Sequence, residues 1–298
     1  MPQQESPVKR RRQHALRRGV TSLPMDFHYL CREKPERIGI VAEGDSWFAY
    51  PRKWIAMGAD VNVLHHIEER VENTDKVNLL RLACNGDEAV QMLSGRQKET
   101  LVGVLEKSAA HIQLLLFSGG GNDIVGKRDM PALLNRYQNG FSAEQCINRT
   151  RFDMTLQAVM LAYQQLLALR QDIIPHASII THTYDIAQPV DQGAEFFWGL
   201  IKTKPWIYPY LVEKQIPPTL HLDIVRILLG TFKDKLMQLA KSPQAQGQLK
   251  VVDTQGILRA SNTDDWLNEI HPTTQGFRKI TKPIYQQMRT LQPTLPPW

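Results

Sequence analysis

Cysteine is scarce in this chain: Cys31, Cys84 and Cys146 are three among 298 residues and stand far apart. An odd, scattered set gives no disulfide framework, and without a CxxC pair or a Cys/His cluster it suggests no zinc site. Free, mostly buried thiols are expected, which fits a reducing compartment. Long apolar runs are missing too. None approaches the ~18 residues that would span a bilayer, so a transmembrane chain is excluded. Internal repeats and low-complexity tracts are also absent from the sequence.

Charge is unevenly placed. The net charge is +6, and residues 1–18 hold Lys9, Arg10, Arg11, Arg12, Arg17 and Arg18 against Glu5 alone, so +5 lies in this arm. The rest of the chain is close to neutral. No apolar segment follows the basic residues, so a Sec-type signal peptide is not expected. The expected location is cytoplasmic, or exported by a route without such a signal. A basic run of this kind can serve nucleic acid or an anionic membrane, or be a disordered solubilising tail. Nucleic acid is not the expected partner; peripheral membrane contact is compatible with the arm.

What is present suits a globular protein. The 42% hydrophobic and 22% charged fractions are ordinary, and the length allows one large α/β domain. Residues 1–36 read as an irregular, flexible basic arm with a short element near Phe27–Arg32, and residues 37–298 as the folded domain. Apolar runs at 38–42, 77–83, 112–117, 177–182 and 249–253 predict five strands, the last at an edge. The first three each end in a loop rich in Gly, Asn, Asp or Ser, the pattern of a parallel sheet that gathers polar groups at one edge. Helices are expected over 62–73, 87–94, 97–108, 152–171, 220–241 and 273–291, with a single turn at 53–57. The segment 152–171 is the clearest, with Leu156, Val159, Met160, Tyr163, Leu166 and Leu167 at helical spacing.

The stretch that organises the rest is Glu43-Gly44-Asp45-Ser46-Trp47-Phe48, directly after the apolar run Ile38-Gly39-Ile40-Val41-Ala42. A buried strand that ends in Gly-Asp-Ser delivers a hydroxyl to the carboxyl end of the sheet, where open α/β sheets place their sites. Three more blocks follow: Asn85-Gly86-Asp87, Gly119-Gly120-Gly121-Asn122-Asp123, and His271-Pro272. In this order and spacing the four blocks resemble the SGNH (GDSL) hydrolases over about residues 38 to 285. That resemblance implies a three-layer α/β/α, flavodoxin-like fold with a mainly parallel five-stranded sheet, and a serine ester hydrolase acting through an acyl-serine intermediate. It implies Ser46 as nucleophile and His271 as general base. The Ser46 backbone N–H, the Gly86 N–H and the Asn122 amide would form the oxyanion hole. The residue types suit these tasks, since glycine lets an N–H approach closely and asparagine offers a neutral donor.

The pattern departs from the family at one place. Where these hydrolases usually carry Asp three residues before the histidine, this chain has Asn268, which can accept a hydrogen bond but carries no charge. Asp265 is the first choice for the residue that orients His271, ahead of Asp264 and Glu269; a Ser-His dyad is the other possibility. Asp45 and Asp123 are expected to anchor their loops by hydrogen bonds. His65 and His66 are adjacent on a helix and should face different ways, a solvated face rather than a metal site. His182, Tyr184 and Asp185 end the fourth strand at the active edge, as pocket lining or loop support.

An insertion at 186–218 mixes Phe196, Phe197, Trp198, Trp206, Tyr208 and Tyr210 with five prolines. It is read either as a semi-rigid cap over the site or as a surface excursion with its own small core. The substrate expected is a lipid or other acyl ester, with carbohydrate O-deacetylation second, and no metal or organic cofactor is needed. The rival of another class is a binding protein without catalysis, in which Asn268 marks a decayed triad.

Overall fold

The computed structural model describes residues 6–50, 62–193, 195–196, 201–202, 204–259 and 264–298. In chain order the helices are α1 Pro7–Arg18, α2 Pro24–Glu33, α3 Ser46–Ala49, α4 Val63–Val71, α5 Ala89–Met92, α6 Gly95–Ser108, α7 Gly121–Val125, α8 Met130–Leu133, α9 Arg149–Ile173, α10 Tyr208–Glu213, α11 Pro218–Ala240 and α12 Thr274–Leu291. The strands are β1 Val20–Thr21, β2 Ile38–Gly44, β3 Val77–Arg81, β4 Ile112–Ser118, β5 Ser178–His182, β6 Glu195–Phe196, β7 Ile201–Lys202 and β8 Leu249–Val252. The single turn expected at 53–57 lies outside the described residues.

Six strands form one sheet in the order β1-β3-β2-β4-β5-β8, and every neighbouring pair is parallel. All seven residues of β2 are buried, as a strand covered on both faces must be. On one face α4 packs against α12, while α2, α6, α9 and α11 follow one another on the other. The expected three-layer α/β/α fold is therefore present, with one strand more than expected.

The extra strand corrects the reading of residues 1–36 as a flexible arm. Ser6 caps α1 by accepting from Lys9 N, Gly19 ends it at a φ of 72°, and Val20–Thr21 then pairs with Leu79–Leu80 at the sheet edge. Arg11 and Arg12 both reach the buried carboxylate of Asp26, at 2.6 and 3.3 Å, and Arg18 reaches Glu72 at 3.0 Å. Arg11, Arg12 and Arg18 of the basic run are thus tied to the fold, and Phe27, Leu30 and Cys31 of α2 join the core. Periodicity hid this because a two-residue strand leaves no pattern.

Among the described residues no helix is long and apolar enough to cross a membrane. The expected insertion holds the antiparallel β6–β7 pair and the short α10; residues 194, 197–200 and 203 within it lie outside the described set.

Candidate active site

The strand order reverses at β2: β3 lies on one side of it and β4 on the other, which opens a crevice at their carboxyl ends. Ser46 follows β2 and Asn122 follows β4, so both arrive at that crevice. Gly44 is needed where it stands. A Cβ there would come within 2.8 Å of the Ser118 Cβ and 2.9 Å of its carbonyl on the neighbouring strand. Asp45 then turns the chain: its N–H donates to Ser118 O at 2.9 Å, and its Oδ1 accepts from Trp47 N at 3.0 Å, capping the turn that carries Ser46.

His271 comes from the loop between β8 and α12. Its Nε2 lies 2.8 Å from Ser46 Oγ, and its Nδ1 lies 3.0 Å from Asn268 Oδ1. The same Oδ1 accepts the backbone N–H groups of Ile270 and His271, at 3.2 and 3.0 Å. Because backbone N–H groups only donate, the atom facing the ring must be the amide oxygen. The Nδ1 proton is thereby fixed, and the Nε2 lone pair is left to face the serine hydroxyl. Ser46 and His271 are 4% and 2% exposed. Burial holds the His271 imidazole down at about 3, so the ring is neutral and able to accept a proton.

Asp265 does not take the place expected of it. Its Oδ2 accepts from Arg259 N at 3.0 Å, its Oδ1 pairs with Lys279 at 2.5 Å, and its carbonyl accepts from Thr273 N at 3.0 Å. The carboxylate thus braces the base of the loop, and the group on the His271 Nδ1 is Asn268. The Asn-x-x-His spacing was the signal: a side chain three residues back across this tight turn reaches the ring, whereas one six back does not.

Asn122 sits in the first turn of α7, and one N–H of its amide donates to Asp87 O at 2.9 Å, which leaves the second for another acceptor. Ser46 and Asn122 line one small cavity together with Asp45, Trp47 and Gly121. Gly86 lies in the exposed turn after β3 with a φ of 90°, where a Cβ would meet nothing within 4 Å. Backbone conformation, not crowding, is what favours glycine there. Asp123 does anchor its loop, accepting from Ala89 N at 2.8 Å.

Behind Ser46, Asp45, His182 and Tyr184 join with Ser118 in a buried polar chain. Tyr184 donates its hydroxyl to Asp45 Oδ2 at 2.6 Å and Ser118 donates to Asp45 Oδ1 at 2.9 Å. His182 Nε2 lies 2.9 Å from Ser118 Oγ. The His182 ring stacks on Trp47, with centroids 5.2 Å apart, and burial keeps it neutral by lowering it to about 3. Burial also pushes the Asp45 carboxyl up to about 7, against the pull of its donors. Tyr184 adopts a φ of 55°, an uncommon value for a bulky residue. Of the three residues expected at this edge, Tyr184 and Asp185 line the cavity, and His182 supports it from behind.

The insertion does reach the site. Glu269 is buried, and its carboxylate accepts the backbone N–H groups of Trp206, Ile207 and Tyr208, the last two at 2.7 and 2.6 Å. This holds the Trp206 ring edge-on to His271, with centroids 5.4 Å apart, while Tyr50 packs on the ring at 4.1 Å. Burial raises the Glu269 carboxyl to about 7, and its backbone donors oppose that shift.

His65 and His66 do not diverge as adjacency on a helix suggests: both reach Glu69, at 3.3 and 3.0 Å. His66 is buried and also bonds Thr274 O at 3.0 Å. The Thr274 bond ties α4 to α12, while the two Glu69 contacts lie within α4; burial lowers the His66 imidazole below its usual value.

No protein-family model matches the sequence, and no curated protein matches it. Solved structures do resemble it. A lipase from a goat rumen metagenome aligns with a TM-score of 0.52 at 15% identity, covering 84% of this chain and 96% of its own. The extracellular lipase of Streptomyces rimosus aligns at 0.51 and 14% identity, covering 84% and 99%. A putative SGNH hydrolase from Slackia heliotrinireducens aligns at 0.48 and 12% identity, covering 85% and 99%. With the parallel sheet and its crevice at the switch point already in place, the chain shares the overall fold of these two lipases.

Proposed function

We propose that the protein is a serine hydrolase of carboxylic esters. The observation that carries this is the buried run Ser46 Oγ to His271 Nε2 at 2.8 Å and His271 Nδ1 to Asn268 Oδ1 at 3.0 Å. A neutral imidazole in the right tautomer beside a hydroxyl is what general-base activation of a serine requires. Ser46 attacks the ester carbonyl as His271 takes its proton. The oxyanion that forms is met by the Ser46 N–H, the Asn122 amide and the Gly86 N–H. His271 returns the proton to the leaving alcohol, and water, activated in turn by His271, releases the acid. Asn268 holds the tautomer without supplying charge, so imidazolium is less stabilised than beside a carboxylate. Two of the structural neighbours carry the name lipase, which accords with ester cleavage as the reaction class.

The test is hydrolysis of p-nitrophenyl esters, with Ser46→Ala and His271→Ala as controls. Each substitution is expected to lower turnover by several orders of magnitude. Near-normal rates in either variant would remove that residue from the mechanism, and a wild-type protein that neither hydrolyses esters nor is labelled at Ser46 by a fluorophosphonate would favour the binding rival.

A further inference from the structure

The cavity that Ser46 shares with Asn122 has room for about 20 Å³ of water-sized occupant, and its remaining walls are Val125, Tyr184, Ala187, Leu229 and Ile270. A single water needs about 10–15 Å³ on this measure. The inner space therefore accepts one heavy-atom group such as a methyl.

The walls are fixed. All five residues are at most 7% exposed. Leu229 sits in the middle of the 23-residue α11. Tyr184 is pinned to Asp45, and the Ile270 carbonyl accepts the Trp47 indole at 3.2 Å. Asp185, which also lines the cavity, is tied down by Ile186 N, Gly256 N and Leu258 N at 2.7 to 2.8 Å. A densely packed interior of this kind does not open cheaply to extra methylenes.

Which half of the ester lies here follows from the two catalytic groups. The cavity is bounded by the serine and by the Asn122 amide, and His271 is not among its lining residues. The leaving alcohol must receive the proton from His271, so it departs on the other side. Of the two groups that remain, the carbonyl oxygen meets the donors of Ser46 and Asn122 at the cavity's edge, and the substituent on the carbonyl carbon is the one that suits the apolar walls Val125, Ala187, Leu229 and Ile270.

We infer that this recess makes the enzyme an acetyl-esterase: it admits the methyl of an acetyl group and rejects longer acyl chains by size. The inference rests on the ester-hydrolase reading above and adds the acyl class to it. In the first half-reaction the acetyl C–O(alcohol) bond breaks, the bond from the acetyl carbon to Ser46 Oγ forms, and the serine proton passes through His271 to the alcohol. In the second, water supplies the hydroxyl of acetic acid and restores the Ser46 proton through the same imidazole. The alcohol side is set by other surfaces.

The experiment compares acetyl, butyryl and octanoyl p-nitrophenyl esters on the full chain, with Ser46→Ala subtracted. One methylene too many in a fitted pocket costs about 10- to 200-fold, so kcat/KM should fall at least 100-fold from acetyl to butyryl. Leu229→Ala should raise the butyryl-to-acetyl ratio at least tenfold, and Val125→Ala should do so by a smaller factor if the first variant does not fold. Ser46-dependent activity that peaks at octanoyl, or ratios unmoved in both variants, would overturn the recess and leave the hydrolase standing. Should none of the esters turn over, labelling of Ser46 by p-nitrophenyl methylphosphonate against the octylphosphonate gives the same answer. Faster methyl labelling supports the recess and faster octyl labelling overturns it. Absence of labelling by either would sink the hydrolase reading together with it.

Discussion

Replacing Asn268 by aspartate restores the charge that the site lacks, and the structure sets the size of the effect. Asn268 Oδ1 already accepts three N–H groups, and its Nδ2 donates to the Tyr50 hydroxyl at 3.3 Å. An aspartate keeps the first oxygen where it is, and Tyr50 can turn its hydroxyl to donate to the second. Carboxylate and imidazolium centres about 4 Å apart attract by about 4 kcal/mol at an effective dielectric of about 20. Loss of carboxylate hydration in this buried place takes roughly half. About 2 kcal/mol then remains for the transition state, or roughly 30-fold in kcat. The same charge favours the protonated ring, so the acid limb of kcat/KM should move to higher pH. The assay is steady-state hydrolysis of p-nitrophenyl acetate across pH, with thermal melting to verify the fold. In contrast, Asn268→Ala removes the acceptor that fixes the tautomer, and kcat should fall by roughly 10²- to 10⁴-fold. A folded Asn268→Asp protein with unchanged or lower kcat, and an acid limb that stays put, would refute the view that His271 becomes charged in the rate-limiting step.

Two further outcomes follow from the buried carboxylates. Glu269→Gln puts an amide where two oxygens now accept three backbone N–H groups, so one N–H meets another donor; stability should drop by about 1–3 kcal/mol, read by denaturant titration, and Trp206 should leave His271, read as a change in tryptophan emission. Asp45 holds its proton more tightly folded, at about 7, than unfolded, at about 3.9. Its contribution to stability is therefore complete at low pH and is lost as pH rises through about 7. The melting temperature should fall between about pH 4 and 7 and level off above that, and by less in Asp45→Asn; equal slopes in the two proteins would show that Asp45 does not titrate there.

Much of this protein was legible in the sequence because the signals were local. Five apolar runs became the five long strands of the main sheet, since burial on both faces demands uninterrupted hydrophobic residues. The blocks holding Ser46, Asn122 and His271 lie at strand or loop ends that the parallel sheet brings to one edge. Tertiary structure decided what had no local period. The edge strand at Val20–Thr21 exists only because β3 offers it a partner. Asp265 and Glu269 are both candidates in a linear string, with Asp265 first, yet one pairs with Lys279 and the other holds the insertion by its backbone. Asn268 reaches the Nδ1 of His271 because the turn closed by Leu267 N–H on His271 O aims its amide there. The size of the cavity belongs wholly to packing, set by Val125, Ala187 and Leu229 from three separate segments. Sequence named the candidate residues by type and order; distances between residues remote in the chain decide which partner each one has.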